Sequence, residues 1–111
     1  MHDARGTLLR VFLDEDDRAG GRPLHLAIVE AMKAIGISGA TVRKGIEGFG
    51  ASRRIRASRV AEGGYGLPIL IEAIEQRELI LSFVPKLRAM MTGGMITLEN
   101  LDVAIIVREG R

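Results

Sequence analysis

Residues 67–103 read LPILIEAI (67–74), EQRELILSFVPKLRAMM (75–91) and TGGMITLENLDV (92–103), and their hydrophobic period changes twice. Leu67 to Ile74 is a short apolar run of strand length, in which Pro68 is tolerable only near the start or at an edge. From Gln76 to Met91 the apolar residues Leu79, Phe83, Leu87 and Met90 or Met91 recur at helical spacing, so a helix is predicted, kinked at Pro85 and stopped by Gly93-Gly94. After the glycines the period returns to two. Ile96 and Leu98 alternate in one phase, whereas Leu101, Val103, Ile105 and Val107 alternate in the other, so a bulge or bend is expected at Glu99-Asn100.

Toward the N-terminus the same order recurs. Leu8 to Leu13 is apolar apart from Arg10 and reads as a buried strand, ending in the acidic run Asp14-Glu15-Asp16-Asp17. Pro23 to Ile35 carries Leu24, Ala27, Ile28, Ala31 and Ile35 at helical spacing, with Pro23 suited to the first turn and Gly36 to the stop. Gly39 to Ile46 alternates, placing Ala40, Val42 and Ile46 on one side and Thr41 and Arg43 on the other, with Lys44 breaking the pattern on the apolar side. Glu47 to Gly66 has five glycines and little periodicity, which predicts a long loop with a helical turn around Ala57 to Ala61. Long loops inside compact domains are usually functional.

The order strand, helix, strand, strand, helix, strand is that of a ferredoxin-like α+β domain, βαββαβ: one four-stranded antiparallel sheet with two helices on one face. A chain of 111 residues, 47% apolar, suits a single domain over residues 1–111 with 47–66 as its long loop. The second sheet face would then be bare. Thr41, Arg43, Leu70 and Ile74 make that face mixed, so a symmetric oligomer covering it is the economical solution.

Composition removes several function classes. With no cysteine, disulfides, thiolate catalysis and sulfur-ligated zinc are excluded. No apolar stretch is long enough to cross a bilayer, and Met1 to Gly6 is polar without a following signal segment, so a cytoplasmic protein with no membrane insertion is expected. The net charge of +2 is unevenly spread. Arg43, Lys44, Arg53, Arg54, Arg56 and Arg59 fall within seventeen positions holding one acid, Glu47, so that segment carries +5 and draws anions.

The motifs TLLRVF (7–12), GRPL (21–24), GATV (39–42) and GIEGFG (45–50) together resemble the domain of unknown function 190 family, over nearly the whole chain. They also resemble the broader PII signal-transduction superfamily, in which Gly-Phe-Gly ends the second strand and opens a long T-loop; here that is Gly48-Phe49-Gly50. Thr92-Gly93-Gly94 corresponds in position to the glycine-containing B-loop of that superfamily, with Met95 where a basic residue is expected. The resemblance implies a homotrimer with nucleotide sites in the clefts between subunits, built from the end of the second strand, the T-loop base and the B-loop. AMP, ADP or ATP are the ligands it suggests. The tyrosine modified in some PII proteins is not carried over, because Tyr65 sits at the far end of the loop.

The nucleotide-binding residues expected on these grounds are Arg43, Lys44, Gly45, Gly48, Phe49, Gly50, Arg53, Arg54, Thr92, Gly93 and Gly94. Small residues at 48 and 50 let backbone amides approach phosphate, and a ring at 49 can cover a base. Gly93-Gly94 fits a phosphate nest and a helix cap equally. Guanidinium groups at 53 and 54 offer a planar donor fork for phosphate, though a solvated loop explains them as well. A charge on a strand that an assembly buries must face a cleft or a partner, which favours Lys44. The acidic run at 14–17 is read as a solvated turn rather than a Mg²⁺ site, His2 and His25 are too isolated to form a metal centre, and Met32, Met90 and Met91 are read as core.

The function these readings favour is a non-enzymatic sensor: an adenine nucleotide orders the long loop, which engages a partner protein such as a transporter or an enzyme. Three alternatives differ in class. An enzyme acting on phosphate esters would need a base near Ser52 or Ser58, and none stands at a diagnostic spacing. Nucleic-acid binding would call for more aromatics than Phe12, Phe49, Tyr65 and Phe83. A trimer that docks on a protein without any small ligand stays open.

Overall fold

The computed structural model describes residues 4–45, 47–48, 56–57 and 66–104. Its elements are β1 (Ala4–Asp14), β2 (Arg18–Ala19), β3 (Arg22–Pro23), α1 (Leu24–Ala34), β4 (Thr41–Lys44), β5 (Glu47–Gly48), β6 (Arg56–Ala57), β7 (Pro68–Glu75), α2 (Arg77–Met90) and β8 (Met95–Val103). The main sheet runs β4-β7-β1-β8 and every pairing is antiparallel. This is the ferredoxin-like order expected from the sequence, with the first strand central and the last strand on one edge.

Alternation along the strands divides the sheet into two faces. Leu9, Val11 and Leu13 of β1 and Ile69, Ile71 and Ala73 of β7 point to one side, where they bury Leu24, Ile28 and Met32 of α1 and Ile80, Phe83 and Leu87 of α2. Both helices therefore cover the same face. Met32 is fully buried, and Met90 and Met91 pack against this core, as filler that follows irregular space. Pro23 precedes α1 and Gly36, at φ +98°, follows it, so both punctuation residues act where they are expected. Pro85 lies inside the continuous helix α2.

Four elements differ from the sequence reading. β1 begins at Ala4, because β8 extends to Val103 and supplies it with partners up to Ala4↔Val103. Arg18–Ala19 and Arg22–Pro23 form a small hairpin across Gly20-Gly21, both at positive φ, the geometry that a two-residue turn of glycines provides. β8 pairs with β1 in one unbroken register from Phe12↔Met95 to Ala4↔Val103, so the phase flip at Glu99-Asn100 is not a bulge. Apolar residues simply change faces: Ile96 and Leu98 lie opposite Val11 and Leu9, whereas Leu101 and Val103 lie opposite Gly6 and Ala4 on the face away from the helices. Ile105 and Val107 lie outside the described residues.

The fourth difference concerns the long loop. Glu47–Gly48 and Arg56–Ala57 pair as a two-rung antiparallel ladder, so Ala57 is in a strand and does not begin a helical turn. Residues 58–61 of that expected turn lie outside the described residues.

Candidate functional site

β4 is the edge strand that carries two of the expected ligand residues, Arg43 and Lys44, and all four of its residues are exposed. Its register separates the two cations. Arg43 lies opposite Leu70 and Lys44 opposite the core residue Ile69, so the neighbours point to opposite faces of the sheet. A single small anion does not reach both head groups without moving one of them.

Arg43 belongs to a ladder across the helix-free face. Its Nη2 lies 2.9 Å from Glu72 Oε1 on β7, Arg10 Nε of β1 donates to Glu72 Oε2 at 2.9 Å, and Arg10 Nη1 reaches Glu99 Oε1 of β8 at 3.3 Å. The chain of alternating charges crosses all four strands. Glu72 is the least exposed of these side chains, and its hydrogen bond raises the Arg10 pKa, against the opposing effect of desolvation. Leu8, Phe12, Leu70, Ile74 and Met95 share this face by register, with Ile74 and Met95 exposed. The mixed face expected from Thr41, Arg43, Leu70 and Ile74 is therefore present. An open groove of about 550 Å³ borders it beside Leu8, Ser38, Thr41, Glu72 and Ile74, away from the Lys44 end of β4.

Lys44 turns instead to the rim. Its Nζ lies 2.7 Å from Oε2 of Glu15, the first residue after β1. Glu15 is anchored to the start of β7: its amide donates to the Leu67 carbonyl at 2.8 Å, and its Oε1 accepts from the Leu67 amide at 3.4 Å. The Lys44 hydrogen bond holds the Glu15 carboxyl below its ordinary value; burial opposes this, and the amides of Leu67 and Gly66 assist it. Gly45 follows, its amide donating to the Pro68 carbonyl at 2.8 Å. A Cβ on Gly45 would stand 2.8 Å from Pro68 Cγ, so glycine keeps the two roots of the 47–66 segment close together.

The Thr92-Gly93-Gly94 turn lies at the same end of the sheet on the other side. Gly94 has φ +96°, and a Cβ there would overlap the Phe12 carbonyl oxygen. Gly93 has open space around it. The two glycines thus have different duties, the second being required for the close approach of the α2–β8 turn to β1. Between Lys44 on one edge and Gly94 beside β1 and β8 stand about three strand spacings, or about 14 Å. One chain does not bring its Lys44 root and its glycine turn together.

Gly48 lies in β5. Phe49, Gly50, Arg53 and Arg54 lie outside the described residues. Asp14 to Asp17 form a turn, in which the Asp14 amide donates to Asp17 Oδ2 at 3.0 Å and the Asp17 amide to the Asp14 carbonyl. Among the described residues no group of three or more histidine or acidic side chains is placed to hold a metal ion. His25 Nδ1 is buried without a hydrogen-bond partner among the described residues. Sequence reasoning missed Glu15 as a site residue, and no local motif marks it: only the register of three strands brings it to Lys44.

Known proteins are similar to this chain in sequence and in fold. The family model DUF190, described as uncharacterized ACR, matches residues 6–103. A UPF0166 protein of Aquifex aeolicus is 33% identical over 103 residues, covering 93% of this chain and 97% of that protein. A UPF0166 protein of Methanocaldococcus jannaschii is 32% identical over 100 residues, covering 89% and 92%. Among solved structures, a Thermus thermophilus protein described as PII-like and signaling superposes with a TM-score of 0.69 at 21% identity, covering 94% of each chain. CPII of Thiomonas intermedia, a nitrogen regulatory PII-like protein bound to ADP, AMP and bicarbonate, superposes with a TM-score of 0.61 at 16% identity, covering 90% of this chain and 89% of that one. By its sequence this chain belongs to the DUF190 family, and its fold is the one seen in the PII-like structures.

Proposed function

We propose that this protein is a PII-like regulator that assembles as a homotrimer, binds an adenine nucleotide in the clefts between subunits, and acts on a partner protein through its 47–66 segment. The observation that carries the reading is the division of the anion-binding groups between opposite sides of the sheet. Lys44 and Gly45 stand at the β4 edge and Thr92 to Gly94 beside β8, about 14 Å apart. Cyclic association, which sets the β4 edge of one copy beside the β8 edge of the next, unites the halves.

The helix-free face supports the same assembly. The charges of its ladder are matched in number, Arg10 and Arg43 against Glu72 and Glu99, so burying that ladder against other copies strands no net charge. Its apolar residues gain from being covered. The nucleotide class follows from CPII, which shares the fold and was solved with ADP and AMP. Lys44 supplies charge to a phosphate, Gly45 and Gly48 allow close backbone approach, and Gly93 leaves room at the opposing turn. Arg43 serves the assembled face. Phe49, Gly50, Arg53 and Arg54 remain proposed contacts from the loop side. The protein works in the cytoplasm by binding, without turnover.

The test is calorimetric titration of ADP into the protein and into Lys44→Gln. Saturable binding weakened at least tenfold in the variant supports the reading. Equal affinity in both removes Lys44 from the site, and no heat with ADP, AMP or ATP leaves the ligand-free docking trimer.

A further inference from the structure

The carboxylate of Glu15 occupies the hydrogen-bond donors around Lys44. Its oxygens are met by Lys44 Nζ at 2.7 Å and the Leu67 amide at 3.4 Å, with the adjacent Gly66 amide also favouring the charged form. Gly66 is at φ +79°, a conformation that turns successive backbone amides toward one anion. An ammonium group beside paired amides is a donor set suited to phosphate oxygen, and here an internal carboxylate fills it.

The position of this pair gives it a consequence. Lys44 ends the strand that leads into the 47–66 segment, and Gly66-Leu67 is where the chain returns from it. One carboxylate therefore ties the outgoing root to the returning root. Backbone bonds act here too: Gly45 N to Pro68 O joins the two roots and Glu15 N to Leu67 O fastens the end of β1 to the returning one, and neither depends on the side chain. The Lys44 side chain is 52% exposed and that of Glu15 25%, so solvent and ligand reach the pair.

We propose that Glu15 is a built-in competitor for the phosphate site at Lys44, and that an arriving phosphate displaces its carboxylate and removes the side-chain tie between the two roots of the 47–66 segment. This rests on the nucleotide-site reading and adds to it the means by which occupancy is passed to the loop. No bond is made or broken: one anion replaces another on the same donors, and Glu15 passes into water.

Two measurements test it with ADP as the probe. Glu15→Gln keeps the shape and an acceptor for the Leu67 amide but removes the competing charge, so ADP should bind about two- to fivefold tighter, the range set by a partly exposed ion pair. In the unaltered protein at neutral pH, the carboxyl carbon resonance of Glu15, assigned by its absence in Glu15→Gln, should move as ADP saturates the site. ADP binding with unchanged or weaker affinity in Glu15→Gln, or with no movement of the Glu15 resonance, overturns the competition and leaves the nucleotide site standing. Absence of ADP binding in both proteins overturns the nucleotide reading and this inference together.

Discussion

Replacing Gly94 with alanine should damage the fold far more than replacing its neighbour Gly93. At Gly94 the backbone stands at φ +96°, where a non-glycine residue costs about 1–3 kcal/mol. The new Cβ would also overlap the Phe12 carbonyl oxygen and stand 3.1 Å from Met91 Cε. The methionine end can swing aside, but the carbonyl belongs to the β1 backbone beside its ladder with β8, so the turn must shift at a further cost of about 1–3 kcal/mol. A total of about 3 kcal/mol is a large share of the roughly 5–15 kcal/mol that holds a domain together. For a chain of this size it should lower Tm by about 12 °C. Gly93 has no atom near its would-be Cβ and no positive φ, so Gly93→Ala should stay within about 0.5 kcal/mol of the parent. Thermal and urea unfolding at one protein concentration, without nucleotide, measure both. Equal stability of Gly94→Ala and the parent, or equal damage from the two variants, would refute the assignment of separate duties to the two glycines.

Three further outcomes follow from the geometry. Glu72→Gln should cost about 1 kcal/mol in urea unfolding, because both Arg10 and Arg43 lose their charged partner, while Glu99→Gln, with its exposed side chain and one 3.3 Å contact, should change little. Acid should destabilise the protein through Glu15 and Glu75. Lys44 lowers the former, and for the latter burial acts upward but the Gln76 and Ser38 hydrogen bonds outweigh it. Since both carboxyls titrate below their ordinary 4.5 when folded, their stabilisation is complete above that pH and is lost as pH falls through the folded values; Glu75→Gln should flatten this decline in pH-dependent unfolding. Phe83→Ala should cost about 3–5 kcal/mol, as its side chain is fully buried in the core cluster, and a smaller loss by urea unfolding would mean that the site collapses around the gap.

The parts of the fold legible in the sequence were those set by local physics. Pro23, Gly36 and the apolar spacing of residues 76–91 bound the helices because backbone sterics and one-sided burial act over a few residues. Lys44 stood out because it breaks the alternation of its strand, and the structure gives the reason: it turns to the rim, where an acid meets it. The Gly20-Gly21 hairpin carried a usable signal, two adjacent glycines, overshadowed by the acidic run before it. The phase flip in β8 signals no bulge, because alternation tells which residues share a face, not whether the second face is also apolar. Leu101 and Val103 lie on the face of Ile74, and Val103 Cγ2 stands 3.0 Å from where a Cβ of Gly6 would be. Glu15 and Glu72 were illegible as partners, since 29 residues separate Glu15 from Lys44 and 62 separate Arg10 from Glu72, and only strand register closes those distances.

The most direct test of the central claim is mass spectrometry of the intact assembly sprayed from a non-denaturing solution, with and without ADP. It reads oligomeric state and ligand count together. The account predicts a species of three chains that takes up to three ADP molecules, with Lys44→Gln retaining the three chains and losing the ligand. A single chain that binds ADP unaided, or three chains that take none, would contradict it.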